Sequence, residues 1–197
     1  ISKDKALISV FSGSRKSEID ILMPILLNFI KLMNKKYNDI TFVFHSTKEY
    51  VNLMQSFLKE SHLSNCEIIS DNKIKSHILK KSIFAVAKSG TVSLEICNAM
   101  IPSIVLYKMG FINFMIIKTL VKTKYANIIN FAANEEIIPE LLQSECNSKN
   151  IFTHVDDFLE NPSKIKKQVK SVQNVLNKFR INKSSSELAS LSLIKFL

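Results

Sequence analysis

A doubly wound α/β domain built on a parallel sheet is what this sequence predicts, on two observations. Short runs rich in β-branched and aromatic residues recur along the chain, and longer stretches with apolar residues three and four apart separate them. Continuous apolar strands need cover on both faces, which helices in the connections supply. Strand order is not readable from this pattern. The place to look for a ligand is: beyond the carboxyl ends of the strands, where loops lead into helices.

In order, the strand-like runs are "ALISVF" (6–11), "ITFVFHS" (40–46), "CEIIS" (66–70), "IFAVA" (83–87) and "SIVLY" (103–107). After the first, Ile19, Leu22, Met23, Leu26, Ile30 and Met33 form one apolar helical face. Pro24 is expected near the start of the continuous helix, because proline is tolerated in a first turn and not in an interior. Farther on, Asn134, Glu135 and Glu136 precede an apolar stretch containing Pro139 that reads as a helix. From Asn161 two helical patterns follow without a strand, "PSKIKKQVKSVQNVLNKF" and "SSSELASLSLIKFL", the second with Ser184 to Ser186 as a capping start. The expected division is an α/β domain over 1–160 and C-terminal helices over 161–197 that close the sheet's edge or reach to another domain.

Length and composition set the remaining bounds. The 197 residues, 46% hydrophobic and 22% charged, are enough for a sizeable core and exclude disorder. No apolar run reaches the ~18 residues that span a bilayer. Cys66, Cys97 and Cys146 are odd in number and far apart, and with His45, His62, His77 and His154 equally scattered they read as buried reduced thiols without a metal. No signal-peptide pattern precedes the first strand, so a cytoplasmic setting is expected, and the opening at Ile1 reads as that of a fragment. The net charge of +10 favours an anionic partner: a phosphorylated ligand, an acidic membrane surface or nucleic acid. Nucleic acid is disfavoured, because basic residues are not interleaved with aromatics and no recognition motif is present.

Two strand ends share one grammar. After "ALISVF", Gly13 permits backbone that a side chain would forbid, Ser14 brings a hydroxyl and Arg15 a fork suited to phosphate. The alternative is a plain turn with a solvated arginine. Glu18 reads as a cap for the next helix. After "IFAVA", Ser89, Gly90 and Thr91 repeat the glycine turn with two hydroxyls, and Glu95 lies one turn into the helix. A carboxylate there suits the vicinal hydroxyls of a ribose, or else compensates a helix dipole. At the end of "SIVLY", Tyr107 suits a cleft rim and Lys108 a phosphate; both residue types are also ordinary on surfaces.

Five pieces in order, "GSRKSEI" (13–19), "KSGTVSLE" (88–95), "PSIVLYK" (102–108), "KTLVKTKYANIIN" (118–130) and "NEEIIPELLQ" (134–143), resemble lipid-A-disaccharide synthases, glycosyltransferases of the GT-B class. The resemblance implies a Rossmann-like C-terminal, nucleotide-sugar-binding half. Its donor would be UDP-2,3-diacylglucosamine and its acceptor lipid X (2,3-diacylglucosamine 1-phosphate), joined with inversion and release of UDP, with no cofactor and no metal. It places Gly13, Ser14, Arg15, Ser89, Gly90 and Thr91 near the donor phosphates, Glu95 on the ribose, and Tyr107, Lys108, Asn130 and Glu136 along the same cleft. Arg15 would stabilise charge on the departing UDP. Asn134, where the family often has glycine, is the next best residue for a left-handed backbone. Ser12 and Gly13 stand where the family usually has proline and glycine. Ile129 stands where proline is common, which would loosen the turn before Asn130.

The resemblance also implies that the N-terminal acceptor domain, with the candidate general base, lies outside these residues. The chain alone is then expected to bind UDP weakly and to transfer no sugar. A non-catalytic nucleotide-binding remnant, or a split subunit of the enzyme, is the alternative. Residues 111–124, "FINFMIIKTLVKTK", with Lys118, Lys122 and Lys124, read either as a basic amphipathic helix at an anionic membrane or as a core helix with solvated lysines. The first would make the protein peripheral on the inner membrane.

Overall fold

A computed structural model describes residues 6–110, 124–179, 190, 193 and 194. The strands are β1 (Ala6–Phe11), β2 (Ile40–His45), β3 (Cys66–Ile69), β4 (Ser82–Lys88), β5 (Ser103–Tyr107) and β6 (Glu140–Leu142). They form one parallel sheet in the order β3-β2-β1-β4-β5-β6. The helices are α1 (Lys16–Met33), α2 (Val51–Ser61), α3 (Asn72–Lys81), α4 (Val92–Asn98), α5 (Ile128–Ala133), α6 (Ser148–Glu160) and α7 (Pro162–Phe179). The expected doubly wound, Rossmann-like class is what forms.

Alternation along each buried strand sends one set of side chains to each face. Ile8, Val10, Phe42, Phe44, Phe84, Val86, Ile104 and Leu106 pack with the apolar faces of α1, α2 and α6. Phe11, Ala85 and Ala87 pack with Leu79 of α3 and Ile96 of α4, while Val105 packs with Cys97, Ile129 and the Val172, Val175 and Leu176 face of α7. The first tail helix therefore covers the same sheet. Gln168 ties it down, its Oε1 accepting the Ser103 N–H at 2.8 Å and its Nε2 donating to the Ser103 carbonyl at 3.0 Å. The second tail pattern and its Ser184 to Ser186 start lie outside the described residues, apart from Ser190, Leu193 and Ile194.

Two expectations are corrected. Helix α1 runs unbroken from Lys16 through Pro24. Pro24 is exposed while Leu22, Met23, Leu26 and Leu27 around it are buried; burial of that face outweighs the one backbone hydrogen bond that proline forfeits. The segment with Pro139 is not a helix: residues 140–142 add β6 to the sheet, and the Pro139 carbonyl accepts the Val105 N–H at 2.9 Å. Proline lacks an N–H and disfavours a helical residue before it, so pairing with the free edge of β5 wins. Asn134 does take the left-handed backbone, at φ 52°.

Candidate functional site

In the order 3-2-1-4-5-6, the chain changes direction between β1 and β4, and loops leaving those two strands separate to opposite faces. A cleft of about 430 Å³ opens there. Both glycine turns line it: Gly13, Ser14 and Glu18 on one side, Ser89, Gly90, Thr91 and Glu95 on the other. The floor and far wall come from the ends of β2 and β3, through His45, Ser46, Thr47 and Ser70.

Gly13 has φ +112°, and a Cβ built on it would lie 2.5 Å from Glu18 Oε2 and 2.7 Å from Glu18 Cβ. The glycine thus makes room for Glu18, whose Oε2 accepts the Ser14 N–H at 3.0 Å. Across the crevice, Lys88 Nζ is 2.8 Å from Glu18 Oε1. Burial alone would raise the Glu18 carboxyl, but the Lys88 ammonium, the Ser14 N–H and the Arg15 charge together hold it below the usual carboxylate range. A second pair, Lys75 Nζ to Glu95 Oε2 at 3.0 Å, spans the other side. With Lys48, the lining carries three lysines against two glutamates.

His45, on the floor, heads a hydrogen-bond relay that runs back into the sheet. Ser82 donates to the Ile78 carbonyl at 3.0 Å, so its oxygen accepts from Ser9 at 2.7 Å, and Ser9 in turn accepts the Nε2–H of His45 at 2.9 Å. The direction of the relay leaves Nδ1 as the lone-pair nitrogen, buried and without a partner among the described residues. The ring stacks on Phe11 at 4.2 Å. Burial, aided by the Lys75 charge, pushes the His45 pKa down to about 3, so the imidazole is neutral.

The other expected residues are placed elsewhere. Arg15 precedes α1 with its side chain 79% exposed and its Nη1 3.9 Å from Glu18 Oε1, outside the cleft lining. Tyr107 lies behind Lys88, whose Nζ is 5.6 Å from the ring centroid. Lys108 donates to the Cys146 carbonyl at 3.1 Å. Asn130 is fully buried. Its Nδ2 donates to the Ile138 carbonyl at 2.6 Å and to Glu140 Oε1 at 2.8 Å, while its Oδ1 accepts the N–H groups of Ile137 and Ile138, both at 2.9 Å. Glu136 Oε1 accepts the Glu140 N–H at 3.2 Å. Ile129 does not loosen this turn, since the N–H that proline would lack binds Asn127 Oδ1 at 2.8 Å. Burial pushes the Cys66 and Cys97 thiols up to about 12, and all three cysteines are free. The basic stretch at 111–123 lies outside the described residues, and none of the described helices is long and apolar enough to cross a membrane.

Sequence reasoning missed Lys75, Lys88 and His45 as cleft residues. The rule that found the turns after β1 and β4 would have found His45 and Ser46 had it been applied to the end of β2. Lys75, on a polar helix, carried no signal.

This is a Rossmann-like domain whose cleft sits at the topological switch point, and solved structures share its fold. The C-terminal domain of a glycosyl transferase group 1 family protein from Francisella tularensis superposes with a TM-score of 0.58 at 16% identity, covering 90% of this chain and 87% of that one. UDP-GlcNAc 2-epimerase from Neisseria meningitidis, solved bound to UDP-GlcNAc, gives 0.60 at 16% identity over 91% of this chain and 46% of that one.

Residues 1–193 match the family described as lipid-A-disaccharide synthetase, and the chain belongs to it. Lipid-A-disaccharide synthases from Sulfurihydrogenibium sp. and Rickettsia prowazekii are 32% and 33% identical over 100% and 96% of this chain. The chain spans about half the length of these curated relatives, 52% and 50%.

Proposed function

We propose that this chain is the donor-binding half of a glycosyltransferase that makes the lipid A disaccharide, with a UDP-sugar held in the cleft between β1 and β4. The observation that carries the reading is the meeting of the two glycine turns at the switch point, with Glu95 beside them. Family membership supports the same chemistry: inverting transfer of 2,3-diacylglucosamine from UDP to lipid X, without a metal.

In this reading Gly13, Ser14, Ser89, Gly90 and Thr91 surround the diphosphate, and Glu95 accepts the ribose hydroxyls after releasing Lys75. Arg15 stands at the rim, where its exposed guanidinium can swing toward the leaving UDP. Tyr107, Lys108, Asn130 and Glu136 support the wall behind. The acceptor and the general base belong to the family's other half, so the chain alone is expected to bind UDP without turning over. A peripheral position at an anionic inner-membrane surface suits acylated substrates.

Calorimetry with UDP on the wild type, Arg15→Ala and Glu95→Ala tests the site. Glu95→Ala is expected to weaken binding about a hundredfold, the cost of a lost pair of hydrogen bonds to a charged group. Identical titrations for all three proteins would sink the assignment.

A further inference from the structure

Lys88 is the cation most firmly built into the cleft, and the family-based reading gives it no task. It ends β4, an interior strand with β1 on one side and β5 on the other. Its side chain is 21% exposed, against 79% for Arg15. Its ammonium lies between the two glycine turns, bonded to Glu18, which is itself fixed by the Gly13 notch and the Ser14 N–H.

We infer that Lys88 is the residue whose ammonium contacts a phosphate of the nucleotide in this cleft, and that Glu18 is its internal counter-ion, yielding it when the ligand arrives. The inference rests on the nucleotide reading above. Glu18 takes up the two donors that an anion in this crevice would seek, the Ser14 N–H and the Lys88 ammonium, and so stands in for the phosphate. Lysine has three protons and turns from one acceptor to another without moving its backbone. Because β4 already fixes Lys88, less side-chain freedom is lost on binding than for an exposed arginine in a loop. A carboxylate bearing one charge gives way to a phosphate bearing up to two.

The test is titration of the full chain with UDP and with uridine, which lacks the phosphates. Lys88→Met is expected to weaken UDP about tenfold, one charge-assisted hydrogen bond, and to leave uridine unchanged. Arg15→Met should weaken UDP less than Lys88→Met does. Glu18→Gln keeps an acceptor for Ser14 but removes the competing charge, so UDP should bind more tightly, an outcome that a folding defect cannot imitate. Lys59→Met, at an exposed position on α2, controls for net charge and should change neither ligand. Equal losses of UDP and uridine in Lys88→Met, a larger loss in Arg15→Met, or weaker UDP binding by Glu18→Gln would each overturn the assignment. A wild-type chain that binds no UDP overturns the nucleotide reading itself.

Discussion

The turn at residues 126–140 and the cleft between β1 and β4 are built from the same kinds of residue, yet one is closed and the other open. The Asn130 side chain finds all of its partners within the turn. The Glu140 carboxylate accepts the Ala126 and Asn127 N–H groups at 2.7 and 3.0 Å as well as Asn130 Nδ2. At the cleft, Glu18 and Glu95 make their short ion pairs with lysines from other elements, 2.8 and 3.0 Å away, Glu18 also holding the Ser14 N–H, and both pairs border open space. The Lys75–Glu95 pair, with Glu95 53% exposed, is screened by solvent, contributes little to folding and costs little to exchange for a ligand. A polar group whose partners are local specifies the fold; one whose partner is borrowed across a crevice is free to bind.

The largest effect expected is on the closed side. Asn130→Ala orphans the Ile138 N–H and carbonyl and leaves the Ile137 N–H only the Glu135 carbonyl, and should lower stability by about 3 kcal/mol in denaturant unfolding. UDP affinity of the remaining folded protein should be nearly unchanged. A large affinity loss with intact stability would erase the contrast and return Asn130 to the cleft.

Gly13→Ala attacks the open side through its backbone. The φ of +112° and the 2.7 Å approach to Glu18 Cβ should cost about 2 kcal/mol and displace Glu18 from Ser14. UDP affinity should fall together with stability, unlike in Asn130→Ala. Full stability in thermal melts would show that the notch is not needed.

His45 sharpens the comparison, being a buried group of the cleft floor whose Nδ1 has no partner among the described residues. Its pKa is held near 3 in the fold and is ordinary when unfolded, so the unfolded chain binds the extra proton as pH falls below about 6.5. The stabilisation is present above about pH 6.5 and is lost as pH falls toward 3, amounting to about 2 kcal/mol by pH 5. His45→Gln should flatten the fall in melting temperature between pH 7 and pH 5. An unchanged slope would mean that other groups carry it.

Much of the architecture was legible before any coordinates. The five strand runs matched β1 to β5 within a residue or two, because buried parallel strands announce themselves as continuous apolar runs. Strand β6 was missed because three residues give no period, and its pairing depends on the free edge of β5. Pro24 misled because propensity speaks only of the local chain, while the helix continues for the sake of a buried face. In the site, both glycine turns were legible from their position after strands. Lys75 and Lys88 were not, since a lysine in a cleft and a lysine in solvent look alike in sequence.

By itself, then, the sequence determined strands β1 to β5, the two glycine turns and the family, since these are matters of local period, backbone freedom and motif order. Only the tertiary structure decided that β1 lies beside β4, that Glu18 meets Lys88 across 70 residues, and that Asn130 faces inward. Those outcomes depend on how helices distribute over two faces of a sheet, and on which polar groups are left without partners once the apolar ones are buried.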